Sequence, residues 1–362
     1  MSTTEQTEQA AKQFVPWNNL GKSGLKISNV IVGAMSFGSK EWAPWVLDDE
    51  EKIFKILKKA YDHGIRTFDT ADIYSNGLSE IILGKFLKKY NIKRDKVVIL
   101  TKVWGPIDED LGPSFFFPFI KTDEERTNFA NNQGLSRRHI LDAAKNSVRR
   151  LGTYIDVYQV HRLDQNTPYE ETLKALNDVV ESGLARYIGA STMRAVDFVE
   201  LQNIAERNGW HKFISVQSYY NLTNREDENE LNYYAQKTGV GIIPFSPLAG
   251  GILAREIDSG SSELTTRQQS FGPISYVVKD DNPEQAVEIA IIKRVGELAA
   301  KKNVSRAAIA TAWLIHKGAN PIVGLNSEKR IDDLIIGANL KLDDDEVKYL
   351  EEPYKPRQRV FE

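Results

Sequence analysis

Along this 362-residue chain, short β-branched and aromatic runs alternate with longer stretches whose apolar positions recur every three or four residues. The runs are ISNVIVGAM (27–35), RTFDTA (66–71), VVILTKV (97–103), IDVYQVH (155–161), RYIGAS (186–191), ISVQSY (214–219), VGIIPFSP (240–247) and PIVGL (321–325). Each has the length of a strand, and several are apolar enough to be buried on both faces. The stretches between them read as amphipathic helices. In EKIFKILKKAYDHG, for example, Ile53, Ile56, Leu57 and Ala60 fall on one face. Ser136 opens SRRHILDAAKNSVRRLG as a helix cap and Gly152 closes it. The acidic run DDDE at 343–346 reads as a solvated helix start.

Strict strand-then-helix alternation predicts a parallel sheet with crossover helices. Eight such units favour a closed (β/α)8 TIM barrel over an open doubly wound sheet. A short hairpin is expected before the first barrel strand, with LGKSGL as its turn. No composition break divides the chain, so residues 14–362 read as one barrel domain behind a disordered polar tail at 1–13. Two connections exceed ordinary loop length. One, at 104–135, follows the third strand and holds the aromatic cluster PSFFFPF; the other, at 249–282, follows the seventh and is rich in Gly, Ser and Gln. Both leave the C-terminal ends of strands, the face on which barrel enzymes build their sites. Trp104 and the cluster at 113–119 are expected to shape an apolar pocket suited to aryl or bulky aliphatic carbonyl compounds.

Composition narrows the chemistry. A net charge of −3 gives no reason to expect nucleic acid or an anionic membrane as partner. With no cysteine, disulfides, thiolate nucleophiles and Cys-ligated metals are excluded, which fits a reducing compartment. The polar start lacks the pattern of a secretory signal, and no apolar run approaches the roughly 20 residues of a membrane helix. A cytoplasmic protein is therefore expected. HRLD holds two residues able to bind a metal but has no further His cluster nearby, so no metal is expected.

Polar residues end the second, third and fourth strands: Asp69 and Tyr74 in FDTADIYSNG, Lys102 in ILTKV, and His161 in VYQVH. An ammonium ending the run VVIL is partly buried and needs a partner, which Asp69 can be. The trio then has a chemical use. A free phenol, with a pKa near 10, is a poor acid at neutral pH. A cation about 4 Å away favours tyrosinate by roughly 4 kcal/mol at an effective dielectric of 20, or about three pKa units. Tyr74 becomes a general acid for a carbonyl oxygen that receives hydride. A neutral His161 can give that oxygen a second hydrogen bond.

GIRTFDTADIYSNGLSE resembles the aldo-keto reductase signature, and ILTKVW and VYQVHRLD resemble that family's Lys and His segments in the same order. The resemblance runs from about Trp17 to Leu340 and is nearest the fungal aryl-alcohol dehydrogenase-like branch. It implies Asp69, Tyr74, Lys102 and His161 as a catalytic tetrad. It also implies reversible hydride transfer between NADPH/NADP+ and a small carbonyl or alcohol substrate. The GxGxxG pattern of a Rossmann site is absent; this family lays its cofactor across the barrel mouth instead. By resemblance, Gly33 and Met35 lie near the nicotinamide ribose, with Asp69 also in the cofactor's reach. Ser191 and Gln217 bind the carboxamide, and Phe245 stacks on the nicotinamide. Ser246, Leu248 and Gly250 line the pyrophosphate, Gly324 is a further cofactor position, and Asn326 and Arg330 reach the adenosine 2′-phosphate, whose charge suits a guanidinium. The chain departs from many relatives at Thr192, where they have Asn; at Asn326, where they have Lys or Arg; and at Leu334, where they have Asn. Two rival readings differ in class. One is an NADPH-binding regulatory subunit like those of potassium channels; the other is a different barrel enzyme, such as a hydrolase, without affinity for NADP(H).

Overall fold

The eight expected strands pair in one parallel sheet in a computed structural model that describes residues 13–115, 122–257, 278 and 283–357. A hairpin of β1 (Trp17–Asn19) and β2 (Lys26–Ser28) comes first. The sheet is built from β3 (Ile31–Gly33), β4 (Thr67–Asp69), β5 (Val98–Val103), β6 (Ile155–Val160), β7 (Ala185–Ser191), β8 (Phe213–Gln217), β9 (Gly241–Ile242) and β10 (Ile322–Gly324). Strands neighbour one another in chain order, with β10 beside β3. The ring closes where Asn320 N–H donates to Ile242 O (2.8 Å) and Ile322 N–H to Pro244 O (2.9 Å).

Most runs lose residues at their ends, and two are shortened most. The first, 27–35, is split between β2 and β3, because the Ser28 hydroxyl folds back onto Val30 O (2.7 Å) and ends the hairpin. The run at 240–247 is regular only over β9. Pro244 and Pro247 have no N–H to give, although Ile243 and Phe245 still donate to Val216 O and Ser218 O (both 3.0 Å).

Helices α1 (Glu50–Asp62), α2 (Leu78–Lys89), α3 (Asp123–Asn128), α4 (Arg137–Leu151), α5 (Tyr169–Glu181) and α6 (Ala195–Asn208) occupy the first connections. They are followed by α7 (Leu231–Thr238), α8 (Ala286–Lys302), α9 (Arg306–His316), α10 (Lys329–Asn339) and α11 (Asp344–Glu351). The end signals act as read: Ser136 accepts the His139 N–H at the start of α4, and Gly152 ends it with φ of 69°. Asp343 and Glu346 form a capping box at the start of α11. Ile53, Ile56, Leu57 and Ala60 are all buried against the barrel. The connection at 104–135 is not a plain loop, since it contains α3 and a 3-10 turn over Glu109–Leu111. Residues 1–12 of the expected tail, 116–119 of the aromatic cluster, and 258–277 and 279–282 of the second long connection lie outside the described residues. No described helix is long and apolar enough to cross a membrane.

Period-two alternation sorts each strand between two environments. Val32, Phe68, Ile99, Tyr158 and Val216 point outward into the large core shared with the helices. Ile31, Val98, Leu100, Val157, Ile243 and Ile322 pack inside the barrel with Leu20 and Ile27 of the hairpin. The hairpin thus plugs one end. Gly21, at φ of 58°, sits where a Cβ would lie 2.2 Å from Gly239 O, so only glycine fits this turn against the barrel floor. Moving along the interior from plug to rim, Val98 and Leu100 give way to Lys102, and Val157 gives way to Gln159 and His161. The apolar floor holds the barrel, and the polar rim is what remains free for chemistry.

Candidate active site

Asp69 is the last residue of β4, and its side chain enters the barrel beside Lys102 of β5. Lys102 Nζ lies 2.6 Å from Asp69 Oδ2, 2.8 Å from Thr70 O and 3.2 Å from the Tyr74 hydroxyl. Lys102 is fully buried and Asp69 nearly so, so the ion pair is held by complete hydrogen bonding rather than by solvent. The other Asp69 oxygen accepts from Gln159 Nε2 (3.0 Å) and Gln217 Nε2 (3.1 Å). Gln217 Nε2 also donates to Gln159 Oε1 (3.0 Å). Room for the Gln159 stem comes from Gly189 on β7, where a Cβ would stand 3.1 Å from Gln159 Cγ. The Tyr74 and His161 rings meet edge to face, 5.9 Å apart.

The electrostatics confirm two expectations and correct a third. Burial works against the Lys102 cation, but Asp69 and Tyr74 more than offset it, so its pKa is raised and the ammonium stays charged. Burial, reinforced by the Lys102 and Arg162 charges, pushes His161 well below its usual range; the imidazole is neutral. Tyr74 departs from the sequence argument. Its burial outweighs the attraction of Lys102, and its pKa is raised rather than lowered, with Asp69 adding to the rise. The attraction of a nearby cation is outweighed here by the cost of placing tyrosinate in a dry site. The phenol therefore keeps its proton at neutral pH, and Lys102 limits the cost of releasing it.

The chain matches the model of the aldo/keto reductase family over residues 29–355. The chain belongs to the aldo/keto reductase family. It is 53% identical over 350 residues to a Schizosaccharomyces pombe protein named as an aryl-alcohol dehydrogenase, covering 93% of this chain and 95% of that one. A Saccharomyces cerevisiae protein of the same name type is 50% identical over 340 residues, 94% of this chain and 97% of the relative. The versiconal hemiacetal acetate reductase of Aspergillus parasiticus is 53% identical over 339 residues, 93% and 96% of the two chains. Carbonyl reduction by a nicotinamide-dependent oxidoreductase is the activity that this membership carries.

In this aldo/keto reductase the positions expected to meet the cofactor all leave one rim of the barrel. Gly33, Ser191, Gln217 and Gly324 end β3, β7, β8 and β10. Met35 packs against the cluster of Trp42, Val46, Ala71 and Tyr74. Phe245 lies 5.6 Å from the Tyr219 ring, after β9. Ser246, Ala249, Gly250 and Gly251 have φ of 52°, 48°, 67° and 102°, and such turned backbone gathers N–H groups into an anion-binding concavity. Leu248 and Gly250 lie within this segment. Asn326 and Arg330 are exposed at the start of α10, and the Arg330 guanidinium is lowered in pKa by partial burial and by the nearby Arg255 cation. Two departures gain a structural meaning. Thr192 has φ of 39°, a region that Asn tolerates better than a β-branched residue. Leu334 is buried in the core, packing where relatives carry an Asn amide.

Three groups near Tyr74 were not singled out from sequence. Gln159 was findable, because period two puts it on the same face as His161. Trp42 packs 6.3 Å from Tyr74 and 6.0 Å from Trp45, and these indoles form a cluster with Met35 and Ala71 separate from the barrel core. Of the cluster at 113–119 expected to help wall the site, Phe115 stacks on Phe129 at 5.1 Å, and residues 116–119 lie outside the described residues. The signal for the indoles was two tryptophans in EWAPWV, in the connection after the first barrel strand.

Proposed function

We propose that this protein reduces aldehydes or ketones with NADPH, reversibly, with Asp69, Tyr74, Lys102 and His161 as its catalytic residues. The observation that carries the reading is the Tyr74 hydroxyl 3.2 Å from a buried, fully paired Lys102 ammonium. The bound nicotinamide supplies the hydride. Tyr74 gives its proton to the carbonyl oxygen, and Lys102 stabilises the tyrosinate left behind. Asp69 keeps Lys102 charged and aimed. His161, neutral, donates a hydrogen bond to the same oxygen and orients it.

The residues present fit such a cofactor. The concavity at 246–251 suits a pyrophosphate, and the juxtaposed Arg255 and Arg330 charges suit a further phosphate, which supports NADPH over NADH. The indoles of Trp42 and Trp45 beside Tyr74 support an aryl or bulky aliphatic carbonyl as substrate. We also propose that residues 14–362 form one domain: among the described residues Asn339 Nδ2 donates to Phe14 O (3.3 Å) and Asn29 Nδ2 to Ala338 O (2.8 Å), while 358–362 lie outside them.

The test is NADPH oxidation by the purified protein with a panel of aryl and aliphatic aldehydes, beside Tyr74→Phe. Turnover lost by at least about 100-fold in the variant, with NADPH binding intact, is expected. Equal rates in the two proteins would remove Tyr74 from its role.

A further inference from the structure

The three residues after Tyr74 all adopt positive φ: Ser75 at 48°, Asn76 at 51° and Gly77 at 91°. For a residue with a Cβ this conformation costs roughly 1–2 kcal/mol, so it persists only where the surroundings impose it. They do. Asn76 is buried, and its Nδ2 donates to Asp108 O (2.5 Å) and Gly112 O (2.8 Å), while its Oδ1 accepts the Asp108 N–H (3.1 Å). The whole amide is engaged by the backbone of one loop, the one that leaves β5.

That loop is itself anchored. Asn132 Nδ2 donates to Ile107 O (2.7 Å), and Glu109 pairs with Arg149 and with Arg150 (2.9 Å). Arg150 also pairs with Glu80 (2.6 Å), and a Cβ on Gly77 would lie 2.8 Å from Arg150 Cδ. On the other side Ser75 Oγ accepts the Ser39 N–H (3.1 Å), from the connection that carries Trp42 and Trp45. The contact between Tyr74 and Lys102, at 3.2 Å, is already at the long end of a hydrogen bond. A small slip of the Tyr74 loop would break it.

We propose that Asn76 is a positioning residue: its amide ties the Tyr74 loop to the loop leaving β5 and thereby sets where the Tyr74 hydroxyl stands relative to Lys102. The assignment rests on Tyr74 being the proton donor. The charged and titratable groups facing Tyr74 are Lys102 from β5, Asp69 from β4, and His161 and Arg162 at the end of β6.

Asn76→Gly keeps the left-handed backbone easy and removes all three side-chain bonds; Asn76→Asp keeps an acceptor and loses both donors. Both are expected to lower kcat roughly 10- to 100-fold, the scale of a misplacement of about 1 Å, with the Kd for NADPH unchanged. The basic limb of kcat for reduction should move to higher pH, because a phenol farther from Lys102 is a weaker acid. Backbone amides at 70–78 and at 105–112 should exchange hydrogen faster together. Wild-type kcat in Asn76→Gly, or a lower kcat with an unmoved limb and unchanged exchange, overturns the proposal. If the wild-type protein reduces no carbonyl compound with NADPH, the functional reading fails. The exchange experiment still decides the tie: faster exchange in both segments supports it, and unchanged exchange overturns it.

Discussion

Among single residues, Asp72 is the least expected. It sits between Asp69 and Tyr74, is fully buried, and neither carboxyl oxygen has a hydrogen-bond partner among the described residues. Burial, and then the charge of Glu80, push its pKa well above the usual carboxylate range, with Arg150 opposing. The folded-state value thus lies above the unfolded one, near 3.9, and the native protein holds a proton that the unfolded chain gives up. Stability from this group is whole below the unfolded pKa and is lost as pH rises above it. Asn has nearly the same shape and does not titrate. Asp72→Asn should therefore raise the melting temperature at pH 7.5 by on the order of 3 °C and leave it unchanged near pH 4. Scanning calorimetry at the two pH values decides: an equal effect at both would mean that Asp72 is not held protonated. Nothing in the sequence distinguishes this aspartate from a solvated one in a turn, since its burial depends on α2, α4 and β6 packing over it.

The elements were more legible than the individual contacts. Alternating strand and helix patterns gave the barrel, and the caps at Ser136 and Asp343 gave helix starts, because both signals are local. Asp69, Lys102 and His161 were legible for a related reason: a charged or polar residue that continues the inward face of an apolar strand has to be accommodated at the rim. Contacts between connections were not legible. The packing of Trp42 on Tyr74 depends on how loops of different strands meet, and the stacking of Phe115 on Phe129 on how one long connection folds back on itself. The hairpin offers a clean test of the division between floor and rim. Leu20 is fully buried in the interior cluster with Ile27, Val98 and Leu100, at the end away from Tyr74. Leu20→Ala should cost about 2–5 kcal/mol of unfolding free energy, measured in urea, while kcat stays within about two-fold of wild type. A fall in kcat as large as the fall in stability would mean that the plug also shapes the rim.

At the scale of the whole molecule, the positions proposed for the cofactor come from distant parts of the chain that meet only in the closed ring. The segment after β3 is joined to the segment after β10 by Ser36 Oγ, which donates to Leu325 O (2.9 Å). Asn221 Nδ2 likewise joins the end of β8 to Ser246 O (3.1 Å). A ligand spanning these segments binds the folded barrel and not the unfolded chain, so it stabilises by about 2.7 kcal/mol at a concentration 100 times its Kd. The dinucleotides NADPH and NADH differ only in the 2′-phosphate, which makes melting shifts a direct reading of what the 246–251 and 324–330 segments recognise. Arg330 is held near a like charge on Arg255, and its guanidinium is already partly desolvated. A phosphate placed there relieves the repulsion and gains charge-assisted hydrogen bonds of roughly 1.5–3 kcal/mol. Arg330→Ala should thus weaken NADPH by about 10-fold or more, shrink its melting shift toward that of NADH, and leave the NADH shift unchanged. Equal losses for the two dinucleotides would instead place the contribution of Arg330 in the fold of α10. An unchanged NADPH shift would remove it from 2′-phosphate recognition and leave that task to Arg255 or Asn326.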